Sequence, residues 1–208
     1  MKSPHDPAGP ARPKRPRVAT ATASAPQEVR LIGGRWKRTP LPVADRPGLR
    51  PTPARVRETL FNWLGQDLSG WNCLDAFAGT GALGLEAASR GAAKVCLVEQ
   101  DAALVARLQG LCTKLHANGV SVQRGDAVAA LRTLVPGSLD LVLLDPPFDA
   151  DLFEPALAAA ARAVSTTGWI YLEAPLEWTD ALLVPLQLRV HRHLRAGAVH
   201  AHLLQRTA

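Results

Sequence analysis

The hydrophobic pattern of the chain changes character near residue 71. From there on, short apolar runs alternate with segments whose apolar positions recur every three or four residues. Runs of the first kind predict strands, and segments of the second kind predict helices. Strand Trp71–Phe77 leads to a helix from about Gly81 to Arg90, and strand Lys94–Glu99 to a helix from about Ala102 to Ala117. Strand Ser121–Arg124 leads to a short helix Ala127–Leu134, and strand Leu139–Leu144 to a helix within 151–164. Strand Trp169–Glu173 follows, and Leu186 to Gln205 predicts two more strands joined near Arg195-Ala-Gly-Ala198. Strands alternating with helices imply a mostly parallel sheet covered on both faces. The fold class is therefore α/β and doubly wound, with seven strands and an antiparallel C-terminal hairpin.

Upstream the pattern is different. Residues 28–49 are short strand-like pieces with turns, including Arg30-Leu-Ile-Gly-Gly-Arg-Trp-Lys-Arg38. Thr52-Pro53 then predicts the start of a helix, with Thr52 as cap, Pro53 at the first position and an apolar stripe of Val56, Leu60, Trp63 and Leu64. Residues 1–27 are rich in Pro, Ala, Ser and Thr and cannot bury enough apolar surface to order themselves. The expected organisation is a disordered basic tail (1–27), a basic extension (28–64) and an α/β domain (65–208).

Charge sharpens that division. The net charge of +6 splits into +10 over residues 1–57 and −4 over residues 58–208. A basic arm on a mildly acidic body suits a polyanionic partner, although a solvated Arg-rich tail has the same composition. No stretch approaches the roughly 20 apolar residues that span a bilayer, so no membrane partner is expected. The basic N-terminus lacks the apolar core of a signal peptide. Three widely spaced cysteines, Cys73, Cys96 and Cys112, read as reduced thiols of a cytoplasmic protein.

Two motifs carry chemistry. Asp145-Pro146-Pro147-Phe148 closes the apolar strand Leu139–Leu144. An exocyclic base amine is a weak nucleophile because its lone pair is delocalised into the ring. Acceptors aimed at its two N–H bonds, here the Asp145 carboxylate and the Pro146 carbonyl, favour a pyramidal nitrogen. Pro146 and Pro147 stiffen the turn, and Phe148 can stack on a flipped base. The second motif, Asp75-Ala-Phe-Ala-Gly79-Thr-Gly81-Ala-Leu-Gly84, joins the first strand to the first helix. Its glycines allow close backbone approach to a ligand at a helix N-terminus. Glu99 ends the next strand, where it can accept from ribose hydroxyls.

The same glycines fit a dinucleotide fingerprint, with Glu99 lying 20 residues beyond Gly79. Three features point elsewhere. Asp75 precedes the glycines as if to meet an amino group, Asp126 ends the third strand beside an adenine edge, and the chain is short for a dehydrogenase.

Asp75-x-Phe77-x-Gly79-x-Gly81, Glu99, Asp126 and Asp145-Pro-Pro-Phe148 resemble the ordered motifs of S-adenosylmethionine-dependent methyltransferases that act on amino groups. Ile32-Gly-Gly-Arg-Trp36, Leu49-Arg-Pro-Thr52, Arg55-Val-Arg-Glu-Thr-Leu-Phe-Asn-Trp-Leu64 and Leu74 to Ala87 resemble the bacterial 16S ribosomal RNA guanine-N2 methyltransferases of the RsmD type, over roughly residues 29–205. That resemblance implies a Rossmann-like methyltransferase fold. Asp75, Phe77, Gly79 and Gly81 would hold the methionine part of S-adenosylmethionine, Glu99 its ribose, and Asp126 and Ala127 its adenine. Arg50-Pro51-Thr52 resembles the segment that covers the cofactor. The implied reaction is transfer to the N2 amine of a guanine in 16S ribosomal RNA, expected at guanine 966; naked RNA and the assembling 30S subunit both stay open as the substrate, and the chain is expected to act as a monomer. The tail 1–27 is not part of that pattern.

Arg30, Arg35, Lys37, Arg38, Arg50, Arg55 and Arg57 precede the cofactor motifs and are candidates for RNA phosphates, with Trp36 as a stacking ring or a core residue. A hairpin loop centred on Ala196-Gly197 would set His193 against His200 and His191 against His202, all on one face. A polar or RNA-facing strand surface accounts for that face, and no metal is expected. The alternative functions are a DNA adenine-N6 or cytosine-N4 methyltransferase and a non-catalytic RNA-binding assembly factor. The intact acids and glycines weigh against the second, and the lack of a separate base-recognition domain against the first.

Overall fold

The computed structural model describes residues 28–43, 52–148 and 151–207. The expectations for residues 1–27 and for Arg50 lie outside them. Val29–Arg30 (β1) and Pro40–Leu41 (β2) form a small antiparallel ribbon, followed by the helix Ala54–Leu64 (α1). The main chain of elements is then Asn72–Asp75 (β3), Ala82–Ser89 (α2), Lys94–Glu99 (β4), Ala102–Lys114 (α3), Val120–Arg124 (β5), Ala127–Thr133 (α4), Leu139–Leu144 (β6), Phe153–Ala163 (α5) and Val164–Ala174 (β7). A short helix Asp180–Leu183 (α6) precedes Leu188–Ala196 (β8) and Val199–Arg206 (β9).

Seven strands form one sheet in the order β5-β4-β3-β6-β7-β9-β8. Strands β3 to β7 are parallel, and β9 runs antiparallel to both β7 and β8. The α/β doubly wound expectation holds, including its antiparallel C-terminal hairpin. The chain winds outward through β4 and β5, then returns to the other side of β3 as β6. Such a reversal opens a crevice at the carboxyl ends of the two central strands. Asp75 is the last residue of β3, and Asp145 directly follows β6.

Burial on both sides explains the sequence of β6. Leu141 to Leu144 are all inaccessible, with Leu141 and Leu143 facing one core and Val142 and Leu144 the other. A central parallel strand covered on both faces is continuously apolar rather than alternating. The first core includes α1, α2 and the N-terminal residues Leu31 and Leu41, and the second is closed by α4 and α5.

Polar contacts fasten the N-terminal segment to α2. Glu86 is fully buried, yet it accepts from the backbone amides of Ile32 and Gly33 (2.8 and 2.7 Å) and from Arg90 Nε (2.8 Å), and pairs with Arg57 Nη1 at 3.6 Å. Ser89 Oγ accepts from the Trp36 amide and donates to the Gly33 carbonyl. Gly34 has φ +69°, and a Cβ there would sit 1.9 Å from the Ser89 carbonyl oxygen, so only glycine permits this contact.

Several local expectations change. Thr52 does not cap α1: the N-cap is Pro53, and no side chain caps the helix. The buried stripe of α1 takes in Arg57 and Phe61, with Trp63 only partly covered. Strand β7 begins at Val164, ahead of Trp169, and its pairing with β6 shifts register between those two residues. In the hairpin the loop centres on Gly197-Ala198, so His193 pairs with His202 and Arg195 with His200. A bulge between Val190 and Arg192 sends His191 against Trp169 (ring centroids 4.7 Å). One extra residue reverses the facing of a strand, which is why three of the four histidines share a face.

Candidate active site

The carboxyl ends of β3, β4, β6 and β7 each present an acid: Asp75, Glu99, Asp145 and Glu173. The glycine loop after β3 fits tightly among them. Gly79 and Gly81 have φ of +51° and +78°, the left-handed region that glycine enters without penalty. A Cβ at Gly84 would lie 2.2 Å from Leu97 and 2.9 Å from Asp75 Cβ, so the helix start must pass close over the strand ends. The Gly79 amide donates to Glu99 Oε2 at 2.9 Å, which holds the loop against β4, and Asp101 N donates to Oε1.

Asp75 is buried. Its Oδ2 accepts from the Gly84 amide at 2.9 Å, while Oδ1 has no partner in hydrogen-bond geometry among the described residues. Burial, above all, pushes its carboxyl up to about 7, against the pull of the Gly84 N–H and a weaker one from the Phe77 N–H. A buried carboxylate oxygen lacking a donor is costly. It suits a cationic amino group placed in the crevice, so the residues present fit the methionine end of S-adenosylmethionine. Asp126 caps α4, accepting from Ala129 N at 2.7 Å, and Ala127 is buried beside it. Phe77 is partly buried against the second core.

The acceptor side of the site lies on β6 and β7. Leu144 pairs with Leu172, so Asp145 and Glu173 leave adjacent parallel strands at the same level. Asp145 is partly buried and Pro146 fully, while Pro147 and Phe148 reach the surface, Phe148 with 42% of its area exposed. Burial and the neighbouring Glu173 and Asp75 hold the Asp145 carboxyl well above the ordinary range. Glu173 is likewise raised by burial, although its Oε1 accepts from Thr52 Oγ1 at 2.6 Å and from Tyr171 Oη at 2.9 Å. Phe148 begins a line of rings, with Phe153 at 6.4 Å and Trp178 a further 6.3 Å on.

Asp75, Glu99 and Asp145 lie at the strand ends where the sequence predicts them, whereas Glu173 has no role in the sequence-based expectation. Its signal was an acid closing the apolar run Trp169–Glu173. Tyr171, Phe153 and Trp178 carried no signal, because their partners become neighbours only through the fold.

The basic candidates divide. Arg35, Lys37, Arg38 and Arg55 are exposed. Arg35 lies over the Trp36 ring at 4.1 Å, and Trp36 packs against the core. Arg30 pairs with Glu28 at 2.6 Å with its side chain largely exposed. Arg57 is a correction: it is 1% exposed, donates to the carbonyls of Thr52 and Arg30, and serves packing instead of a phosphate. A cleft of about 710 Å³ runs beside Arg30, Lys37, Arg38 and Thr52.

His193, His200 and His202 bring one nitrogen each within 4.8 Å of one another. His193 Nε2 and His200 Nδ1 lie 3.0 Å apart, within hydrogen-bond distance. The Trp178 amide donates to His202 Nε2 at 3.0 Å, which places the ring proton on the buried Nδ1. A metal at Nδ1 would require the opposite tautomer, whose Nε2–H would point at the Trp178 N–H.

Comparison with known proteins agrees with this geometry. Residues 29–205 match the family model described as "Conserved hypothetical protein 95". The chain is 41% identical to "Ribosomal RNA small subunit methyltransferase D" of Escherichia coli K12 over 187 residues, 87% of this chain and 91% of that one. It is 37% identical to the protein of the same name from Haemophilus influenzae, over 88% of this chain and 97% of that one. The solved structure of Escherichia coli yhhF superposes with a TM-score of 0.75 at 40% identity, covering 88% of this chain and 99% of the other.

Proposed function

The chain belongs to the ribosomal RNA small subunit methyltransferase D family, and from that premise we propose that it methylates the exocyclic N2 amine of a guanine in 16S ribosomal RNA. The observation that carries the reading is the pairing of two half-sites across the β3–β6 crevice. Asp75, with an unpartnered buried oxygen, stands on one side, and Asp145-Pro-Pro-Phe148 on the other. S-adenosylmethionine supplies an activated methyl group on a cationic sulfur. Asp75, Phe77, Gly79 and Gly81 would hold its methionine end, Glu99 its ribose, and Asp126 and Ala127 its adenine.

The protein's own task is then positioning and proton management. The Asp145 carboxylate and the Pro146 carbonyl accept the two N–H bonds of the amine and free its lone pair. Phe148 stacks on the flipped base, and its exposure is what a ring waiting for a partner requires. Arg35, Lys37, Arg38 and Arg55 bind phosphates on the N-terminal side. The choice of guanine N2 is supported by the resemblance of residues 29–205 to guanine-N2 methyltransferases, since the same four-residue turn serves adenine and cytosine amines.

The test is incubation with labelled S-adenosylmethionine and, separately, naked 16S RNA, small ribosomal subunits and duplex DNA, followed by mapping of the label. Label on a guanine N2 in RNA or subunits supports the proposal. Label confined to DNA adenine or cytosine, or none in any arm, overturns it.

A further inference from the structure

We infer that Glu173 is a positioning residue of this site: it holds Thr52 of the N-terminal segment against the strand ends and shares a single proton with Asp145. The inference rests on the reading of Asp145 as the acceptor for the target amine.

Three observations converge on it. First, the register places the two acids side by side, because Asp145 follows Leu144, Glu173 follows Leu172, and those leucines are paired on parallel strands. Second, Glu173 is 3% exposed but has no cation in hydrogen-bond contact among the described residues. Its partners, Thr52 Oγ1 and Tyr171 Oη, are neutral donors, and both go to Oε1. The cation nearest in effect, Arg57, is occupied with Glu86 and with the carbonyls of Thr52 and Arg30. Third, Asp75 adds another negative group across the crevice, itself influenced by Glu99. From β9 the residue in register with Glu173 is Ala201, which is uncharged. Like charges so placed cannot all ionise at neutral pH, so neighbouring carboxylates share protons.

Sharing suits the reaction. As the amine lone pair forms the N–C bond and the C–S electron pair leaves on sulfur, the nitrogen is left with one proton too many. The positive charge lost at sulfur reappears as that proton. With the cationic cofactor bound, the pair would release its shared proton to solvent; the amine proton passed to Asp145 then lands beside the anionic Glu173, and the total charge of the site is unchanged during the transfer. A neutral residue at 173 would make Asp145 a poorer receiver. The Thr52 hydroxyl, bonded to the same Glu173 oxygen, ties the segment flanking the basic patch to this proton store.

The experiment is a carboxyl ¹³C NMR titration of the cofactor-free protein, with wild type, Glu173→Gln and Asp145→Asn. The first variant retains an amide oxygen for Thr52 and Tyr171 and removes only the charge. In Glu173→Gln the Asp145 midpoint should fall by about one pH unit or more, the size expected of interacting sites. In Asp145→Asn the Glu173 midpoint should fall likewise. The acid limb of the single-turnover pH profile should move to lower pH in Glu173→Gln alongside the NMR shift. Unchanged midpoints in both variants overturn the inference, as does a Glu173→Gln rate that falls equally at every pH. The two readings fail separately: coupled midpoints without RNA methylation sink the activity and leave the shared proton, and methylation with independent midpoints does the reverse.

Discussion

Thr52 Oγ1 donates to Glu173 Oε1 at 2.6 Å across 121 positions of sequence. The bond joins the residue before the N-cap of α1 to the carboxyl end of β7, so it ties the N-terminal segment to the strand ends of the sheet. Replacing Thr52 by Val leaves Glu173 with Tyr171 alone and should cost about 1–3 kcal/mol, the usual penalty for stranding a buried acceptor. Urea denaturation measures it, and Thr52→Ser should recover most of the loss.

Glu86 should matter more. It collects two backbone amides and two arginines inside the core. Glu86→Ala leaves Arg57 buried and unpaired, and breaking such a pair costs about 3–5 kcal/mol. Denaturation midpoints should fall accordingly, and limited proteolysis should open the chain near Ile32–Trp36 before the α/β core.

The pH dependence of stability follows from Asp75. Its carboxyl rises from the ordinary 3.8 to about 7 in the folded protein. The folded state therefore holds a proton that the unfolded chain releases, so this site contributes stability at low pH that is lost as pH climbs through that window. Asp75→Asn removes the titration. Its cofactor-free stability should exceed that of wild type above pH 7, by an effect on the order of a few kcal/mol in urea denaturation, while affinity for S-adenosylmethionine measured by calorimetry falls.

Neutralising Arg35, Lys37 and Arg38 together should weaken RNA binding and lower the magnitude of the slope of log affinity against log salt by about 2, the contribution of three lost phosphate contacts on single-stranded RNA. Affinity for the cofactor should not change. Equal RNA affinity across the whole salt titration would place the RNA elsewhere.

Much of this was legible in the sequence, for a physical reason. The glycine loop, Glu99, Asp126 and Asp145 sit at strand ends, and strand ends follow from apolar runs that can be seen locally. Arg57 reads in the sequence as a phosphate ligand because a charge in a basic stretch looks solvated until Glu86, on another helix, is known to meet it. The register of the hairpin histidines is not legible in the sequence, because a turn shifted by one residue and a bulge at His191 leave no local mark. Glu173 was visible as an acid, but its relation to Asp145 exists only once β6 and β7 are paired. Among the described residues no helix is long and apolar enough to cross a membrane.

The most direct measurement is nucleoside mass spectrometry of 16S RNA after incubation with S-adenosylmethionine and either wild type or Asp145→Ala, with cofactor binding checked in both. The expected result is N2-methylguanosine from wild type and a rate about 10²–10⁴-fold lower from the variant, the range for loss of a positioned proton acceptor, at undiminished cofactor affinity. A methylated base other than guanine, or N2-methylguanosine formed by Asp145→Ala at the wild-type rate, would contradict the assignment of this site.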